Sequence, residues 1–381
     1  MHILHLSPSY KPAFIYGGPT LSMSKLCEAQ AKLNHQVTVF TTTANGSIEL
    51  EVKPGKEQIV DGVKVYYFHR WTKDHSHFSP TLLLKLFQSV KQYQVVHIHS
   101  WWNLVTMPAV FICWIRGVKP VLSPRGMLSQ YTLQGRSAKL KMIFHKLIGK
   151  WLLSKTILHA TAPQEVKDTT PFLKNWEHVI APNIIELPKA TDYKKPSNSE
   201  VIKLLFLSRI HPKKGLEFLF EALSKSHFQY ELHVAGKGDS DYEAQLKEYA
   251  KELGISSQIK WFGWADTNQK YKLLHEADLF VLTSHNENFA NAVLESLAVG
   301  TPVLVSDQVG LSEYVQSKKL GWVCTTDPKD IQAKLEEIIA QPQQLLEINQ
   351  RAATQVRKDF DPAVIAQQYL DAYQKHIKNN V

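Results

Sequence analysis

Cysteine is scarce in this chain of 381 residues: only Cys27, Cys113 and Cys324 occur, odd in number and far apart. That excludes a disulfide framework and a cysteine-rich metal cluster, and the three read as reduced, mostly buried thiols of a cytosolic protein. Long apolar runs are missing too. The longest, Leu104 to Ile115, has 12 residues and contains Pro108, whereas a membrane-spanning helix needs about 20. The opening Met-His-Ile-Leu-His-Leu-Ser enters a strand directly, with no charged segment and long apolar core, so no signal peptide is expected. No short repeat and no low-complexity segment is present. Acidic residues are few in one half only. Residues 1–190 carry 22 Lys+Arg against 10 Asp+Glu, a net +12, and residues 191–381 carry 22 against 25, a net −3, which sum to +9. A basic half suggests a polyanionic partner: anionic lipid head groups, a pyrophosphate or nucleic acid.

The length favours two domains, and the hydrophobic fraction of 44% is ordinary for a globular protein. Buried strands are expected at His2–Ser7, Val37–Thr41, Val63–Phe68, Val95–His99, Pro120–Ser123, Ile157–Thr161 and His178–Ala181, with helices at Thr20–Leu33 and Lys139–Leu153. After a proline- and lysine-bearing stretch the alternation restarts, with strands at Lys203–Ser208, Tyr230–Ala235, Ile259–Phe262, Leu279–Leu282, Val303–Ser306 and Trp322–Cys324 and helices between them. Such alternation predicts an α/β protein with two doubly wound, Rossmann-like parallel sheets. The expected domains are 1–182, a linker at 183–200, 201–360, and a last helix in 361–381 with Asp361 as its N-cap.

The most informative stretch runs from Ser284 to Val303. Glu287 and Glu295 stand with seven residues between them, after the apolar strand Leu279–Leu282. Glu287 falls in a loop, and Glu295 lies about two turns further on, in the following helix. Free N–H groups and the positive dipole end at that helix start suit a phosphate. An acid on either side can accept from sugar hydroxyls. Read alone, two glutamates at this spacing also describe a solvated helix face. Arg209 and Lys214, in Arg209-Ile-His-Pro-Lys-Lys214-Gly, again follow a strand and open a helix, where a guanidinium fork and an ammonium suit phosphate oxygens. Gly236-Lys-Gly238 after a strand permits close backbone approach but lacks the third glycine of a dinucleotide fingerprint. Asp239-Ser-Asp241 spells a possible divalent-metal triplet, although an N-cap explains it better.

The Glu287–Glu295 segment closely resembles the E-x7-E segment of the family 4 retaining glycosyltransferases, and the likeness extends more weakly over almost the whole chain. That family usually has Gly where Ala290 stands. The resemblance implies the GT-B fold: two Rossmann-like domains facing across a cleft, with the C-terminal helix returning to the first. It further implies transfer of a hexose from a nucleoside-diphosphate sugar, UDP favoured over GDP, without a cofactor or metal. Arg209 and Lys214 would hold the diphosphate and stabilise the leaving group, and Glu287 would contact the transferred sugar; these three are the expected catalytic residues. Asn288, Phe289, Ala290, Asn291 and Ala292 would surround the phosphates, and Glu295 would accept from the ribose. Gly236 and Gly238 match the family's glycine-rich turn, and Trp264 lies in the segment that packs beside the base. Gly17 and Gly18 match its first loop and are likewise expected to bind the donor.

In the first half, Tyr16, His99, Trp101, Trp102 and Arg125 are the expected acceptor-binding residues, for a saccharide or lipid-linked acceptor. Alternation puts His97 and His99 on one strand face, a metal pair without an evident third ligand. Trp101 and Trp102 suit stacking on a sugar or lipid, or buried packing. Many members of the family have histidine where Arg125 stands. Ser-Pro-Arg125-Gly-Met-Leu resembles a polysaccharide and exopolysaccharide subgroup, and an arginine there can bind phosphate or carboxylate but cannot act as a base. From Arg136 to Lys155, six cations and no acid accompany apolar residues at helical spacing. This describes an amphipathic helix for an anionic membrane surface, or a core-facing helix with a basic back. The expected place is cytoplasmic, with a peripheral position at the inner face of the membrane as a further option. A GT-B epimerase remains an alternative, as does a nucleic-acid-binding protein, although the cations sit on an amphipathic helix and not among exposed sheet aromatics, which argues against nucleic acid.

Overall fold

The structure, a computed structural model, describes residues 1–133, 138–188 and 201–379. It divides into two compact units, Met1–Glu186 with Phe360–Val381, and Leu187–Asp359. The first unit contains β1 (His2–Leu6), β2 (Gln36–Thr42), β3 (Ala44–Asn45), β4 (Ile48–Glu49), β5 (Glu57–Val60), β6 (Val63–Phe68), β7 (Val95–His99), β8 (Val121–Ser123), β9 (Ile157–Ala160) and β10 (His178–Ile180). Eight form one sheet in the order β10-β9-β8-β7-β1-β2-β6-β5, parallel except for β5; β3 and β4 pair separately. The central strands are buried on both faces along nearly their whole length, with His5, His97 and His99 set among otherwise apolar residues, as a sheet covered by helices demands. The order reverses direction between β1 and β7, so the loops leaving these strands frame a crevice at their carboxyl ends.

The C-terminal helix Pro362–Asn379 belongs to this first unit. Asp361 caps it, accepting from the N–H groups of Ala363 and Val364 at 2.9 and 3.1 Å. Ile365, Tyr369, Leu370 and Tyr373 pack with Ile3, Leu26, Val95 and Val121 in one core cluster.

The second unit carries β11 (Ile202–Leu207), β12 (Tyr230–Ala235), β13 (Ile259–Gly263), β14 (Leu279–Leu282), β15 (Val303–Ser306) and β16 (Gly321–Cys324). They are all parallel, in the order β13-β12-β11-β14-β15-β16, and the reversal lies between β11 and β14.

Several elements go beyond the sequence reading. Helices Pro80–Ser89, Thr106–Ile115, Pro163–Thr169 and Pro342–Asp359 and strands β3, β4 and β5 were not foreseen. Thr106–Ile115 is apolar nearly all round, which hides its helical period, and Pro108 falls in its first turn, where proline is tolerated. The helix expected over Lys139–Leu153 is α-helical at Ala138–Phe144, π-helical at His145–Gly149 and α-helical again at Lys150–Leu153. Arg136 and most of the expected linker, residues 189–200, lie outside the described residues, while 183–186 belong to the first unit.

Candidate active site

In the second unit the reversal point brings together the two loops that the sequence singled out. The loop after β11 makes a 3-10 turn, Pro212–Lys214, then passes through Gly215 at φ 63° into helix Leu216–Ser224. The loop after β14 runs from Thr283 to Ala290 and opens helix Asn291–Ala298. Two contacts lace them: Thr283 Oγ1 donates to Gly215 O at 2.8 Å, and His285 N–H donates to Lys213 O at 2.9 Å. A Cβ on Gly215 would stand 2.3 Å from Thr283 O, so only glycine lets the loops close to this distance. Lys214, buried, is ion-paired with Glu287, whose side chain is 21% exposed. Glu287 is pinned by its backbone, its N–H donating to Gln308 O at 3.0 Å and its C=O accepting from Gly310 N–H at 2.8 Å. Arg209 is exposed, with no hydrogen bond or ion pair of its own among the described residues.

Ala290 occupies the left-handed region at φ 70° and ψ 72° and has no side-chain cap to offer, so the first N–H groups of helix Asn291–Ala298 lack a capping side chain. Asn288, Asn291 and Ala292 are half-buried around this turn, and Phe289 and Ala290 are buried. Glu295 has a partner the sequence reading missed: Lys270 on helix Thr267–Glu276, at 2.7 Å. Gly236 and Gly238 are required for a reason internal to the chain. A Cβ on either would lie 1.8 Å from Ser208 O or 1.9 Å from Ile210 O, so the close approach is to the β11 loop. Asp239 is the N-cap of helix Ser240–Glu252, accepting from Asp241 and Tyr242 N–H. Trp264, which follows Gly263, whose C=O accepts from Gly236 N–H at 2.7 Å, is 70% exposed.

In the first unit, Tyr16, His99, Trp101, Trp102 and Arg125 line one cavity of about 360 Å³. Loops after β1, β7 and β8 supply it, with His75, His77, Met127 and Lys141 completing the wall. Trp101 is buried in the core cluster and serves mainly as packing, which narrows the expected stacking role to half-buried Trp102. Trp102 Nε1 donates to Met127 O at 2.8 Å, and Lys141 Nζ lies 5.7 Å from its ring centre. Gly17, at φ 68°, and Gly18 sit at the start of helix Gly18–Lys32, next to the cavity residues Tyr16 and Pro19 and on the first unit, apart in the chain from the other expected donor residues.

Behind the cavity lies a buried polar network that the sequence showed only in part. Arg125 donates through Nη1 to Ser22 Oγ (2.8 Å) and Asn183 Oδ1 (2.9 Å), and through Nη2 to His99 Nδ1 at 3.2 Å. Because a guanidinium only donates, His99 Nδ1 accepts. His99 Nε2–H then donates to His5 Nδ1 at 2.9 Å, and His5 Nε2–H to Gln30 Oε1 at 2.8 Å. A second chain is directed by a carbonyl. His159 Nε2–H donates to Ala181 O (2.9 Å), so its Nδ1 accepts from Ser123 O–H (2.6 Å). Ser123 Oγ accepts from His97 Nε2–H at 2.5 Å, and His97 Nδ1 accepts from Tyr373 O–H at 2.6 Å. All four rings are neutral. Burial holds His97 and His99 well below the ordinary imidazole range, His5 at about 4 and His159 at about 3, and the charge of Arg125 lowers each further. His5 is the third neighbour the sequence reading could not name for His97 and His99. Its ring nitrogens, like theirs, are engaged in hydrogen bonds, so a metal there would have to displace this relay. The available signal was a histidine one residue before the end of β1, the strand that pairs with β7 in register His5 to His97.

Comparison with known proteins agrees with this division. Residues 16–163 match the family model described as Glycosyltransferase Family 4, and residues 189–358 the model described as Glycosyl transferases group 1. The glycogen synthase of Mycobacterium tuberculosis is 25% identical, over 96% of this chain and 92% of its own. The N,N'-diacetylbacillosaminyl-diphospho-undecaprenol alpha-1,3-N-acetylgalactosaminyltransferase of Campylobacter jejuni is 36% identical over 46% of this chain and 45% of its own. Among solved structures, sucrose-phosphate synthase from Thermosynechococcus elongatus superposes with a TM-score of 0.75 at 18% identity, covering 100% of both chains. Anabaena HepE in complex with UDP superposes with a TM-score of 0.72 at 19% identity, covering 98% of this chain and 100% of that one. With glycosyltransferase family models on both halves, a full-length relative and neighbours of this architecture, the chain is a glycosyltransferase of the GT-B fold.

Proposed function

We propose that this enzyme is a retaining hexosyltransferase of family 4 that uses a nucleoside-diphosphate sugar, UDP before GDP, and a saccharide or lipid-linked acceptor in polysaccharide biosynthesis. The observation that carries the donor assignment is the reversal point between β11 and β14, where the loops of Lys214 and Glu287 are bonded to each other. Ligands of open parallel sheets bind at such points. Solved neighbours of the same fold are in complex with UDP or UDP-glucose or bound to ADP, which supports a nucleotide-bearing donor. In the Lys214–Glu287 pair each charge neutralises the other, so an arriving diphosphate takes over Lys214 and leaves Glu287 to the sugar hydroxyls. Arg209 adds a second cation, the N–H groups from Phe289 to Ala292 face the phosphates, and Glu295 exchanges Lys270 for the ribose.

The reaction breaks the bond from the sugar's C1 to the diphosphate oxygen and forms one from C1 to the acceptor oxygen on the same face. The acceptor proton passes to the departing diphosphate. Charge grows on that leaving group, and Arg209 and Lys214 stabilise it where a metal would otherwise be needed. Glu287 orients the sugar. The acceptor is assigned to the cavity of the first unit. Thermal shift against UDP-, GDP- and ADP-sugars identifies the donor, since a bound ligand raises stability with the logarithm of its saturation. Glu287→Ala and Lys214→Ala are expected to abolish transfer in a folded protein, and near-normal turnover by either overturns the reading.

The same reading places the enzyme in the cytoplasm, against the inner membrane face. No Asp or Glu occurs between Asp74 and Glu165, a stretch with 11 Lys and Arg. Its helices expose Leu140, Ile143, Leu147, Trp114 and Ile115. Cations around exposed apolar side chains suit anionic lipid head groups over their acyl boundary, and give no reason to invoke nucleic acid.

A further inference from the structure

The first unit's cavity is lined by two cations, hydroxyls and aromatic rings. Hydroxyls of a neutral saccharide donate as well as accept, so a site for one needs acceptors, and carboxylates are the strongest. No Asp or Glu lines this cavity among the described residues, whereas Arg125 and Lys141 both do. Three of its lining residues also hold buried polar atoms with no protein partner among the described residues: Arg125 Nε, Trp101 Nε1 and His77 Nδ1. The first two can only donate.

The charge of Arg125 is unmatched as well. Its hydrogen-bond partners, Ser22, Asn183 and His99, are all uncharged. Glu165 is the carboxylate that acts on it from nearby, but its oxygens are bonded to Gly126 N–H, Thr161 N–H and Thr161 Oγ1. A desolvated guanidinium without a direct counter-ion is costly to hold. The backbone adds to the cost. His77 at φ 53°, Ser100 at 73°, Trp102 at 48° and Arg125 at 53° are non-glycine residues in the left-handed region, and all four line this cavity. Strain of this kind persists where a fold holds a ligand site in shape.

We propose that the acceptor carries an oxyanion, a phosphate or a carboxylate, and that Arg125 and Lys141 bind it in this cavity. The inference rests on the first unit being the acceptor side of the transferase. After the three bonds given above, the Nε–H and one Nη2–H of Arg125 remain without a protein partner among the described residues. Trp102 and Lys141 line this cavity together, the ammonium 5.7 Å from the ring centre.

Calorimetric titration of the full chain in saturating UDP, which fills the phosphate loops of the second unit, tests this. The probes are glucose 1-phosphate, glucuronate and methyl glucoside. At least one anion should bind about tenfold or more tighter than methyl glucoside, the scale of a charge-assisted hydrogen bond. Arg125→Gln should remove that preference. Arg125→Lys keeps the charge and should recover part of it, which separates lost charge from lost fold. The tighter anion names the source: glucose 1-phosphate for a phosphorylated or diphospho-linked acceptor, glucuronate for an acidic polymer. Failure of both anions to bind, equal binding of all three probes, or a preference that survives Arg125→Gln overturns the inference. An absent UDP response counts instead against the donor reading, because the anion preference is read in either case.

Discussion

At the scale of single residues, the donor site depends on one glycine as much as on its charges. Gly215 sits between Lys214 and helix Leu216–Ser224 at φ 63°, with its Cα hydrogen facing Thr283 O. Gly215→Ala introduces a methyl 2.3 Å from that oxygen and a left-handed alanine. The backbone term alone is about 1–2 kcal/mol. We expect a stability loss of about 2 kcal/mol or more, measured by urea denaturation, together with a weakened thermal response to the donor, because the two loops must part. A variant as stable as the wild type would show that the loops are not held this closely. Lys214 and Glu287 were legible because each lies in a strand–loop–helix pattern that is local in sequence. Their pairing was not, because it joins loops 73 residues apart. Lys270 escaped notice for the same reason, as did Gln30, whose bond to His5 joins the end of β1 to the helix before β2.

At the scale of elements, the strand pattern was legible almost to the residue, since central parallel strands are short apolar runs. The helices were less so. Thr106–Ile115 has apolar side chains on every side and so shows no plain face, whereas Pro342–Asp359 carries a narrow stripe, Leu345, Ile348, Ala352 and Val356, that its many polar neighbours obscured. What the pattern could not give is the relay across β1, β7, β8 and β9 to the C-terminal helix, where Tyr373 and His97 are 276 residues apart. This relay predicts acid sensitivity. His5, His97, His99 and His159 all have folded pKa values below the ordinary 6.5, so the unfolded chain binds more protons once the pH drops through that value. Stability present above pH 6.5 is therefore lost as the pH falls towards 4, and His5 alone contributes on the order of 3 kcal/mol. Glu165, raised by burial, acts in the opposite sense and nearer the carboxylate range. The urea midpoint should fall steeply between pH 7 and 5, and His5→Gln should flatten the slope. An unchanged midpoint across that interval would mean that the histidines are not buried and neutral.

At the scale of the whole molecule, the uneven charge decides how it meets a surface. The net +12 of residues 1–190 against −3 for the remainder turns the first unit towards any anionic sheet. Charge alone would bring it to nucleic acid as readily as to lipid. The apolar side chains decide between them: Leu147 is 80% exposed, Leu140 71%, Ile143 55% and Ile115 51%, on helices that also carry Lys139, Lys146 and Lys150. Trp114 and Trp151 meet edge to face at 4.7 Å, joining helix Thr106–Ile115 to the end of the basic segment in one continuous apolar face. In water that face is unfavourable, and the proposed membrane contact would insert it at the head-group boundary with the lysines at the phosphates. Two contributions imply two dependences. The full chain should sediment with vesicles containing phosphatidylglycerol and not with pure phosphatidylcholine. Salt should weaken binding by screening at about 10 Å in 0.1 M. Leu140→Ser with Leu147→Ser, neither of which lines the first unit's cavity and both of which lie outside the second unit, should reduce binding at low salt while leaving the response to donor sugars intact. Vesicle binding unaffected by the leucine pair would reduce the surface to a purely electrostatic one, and equal sedimentation with neutral vesicles would remove the role of its cations.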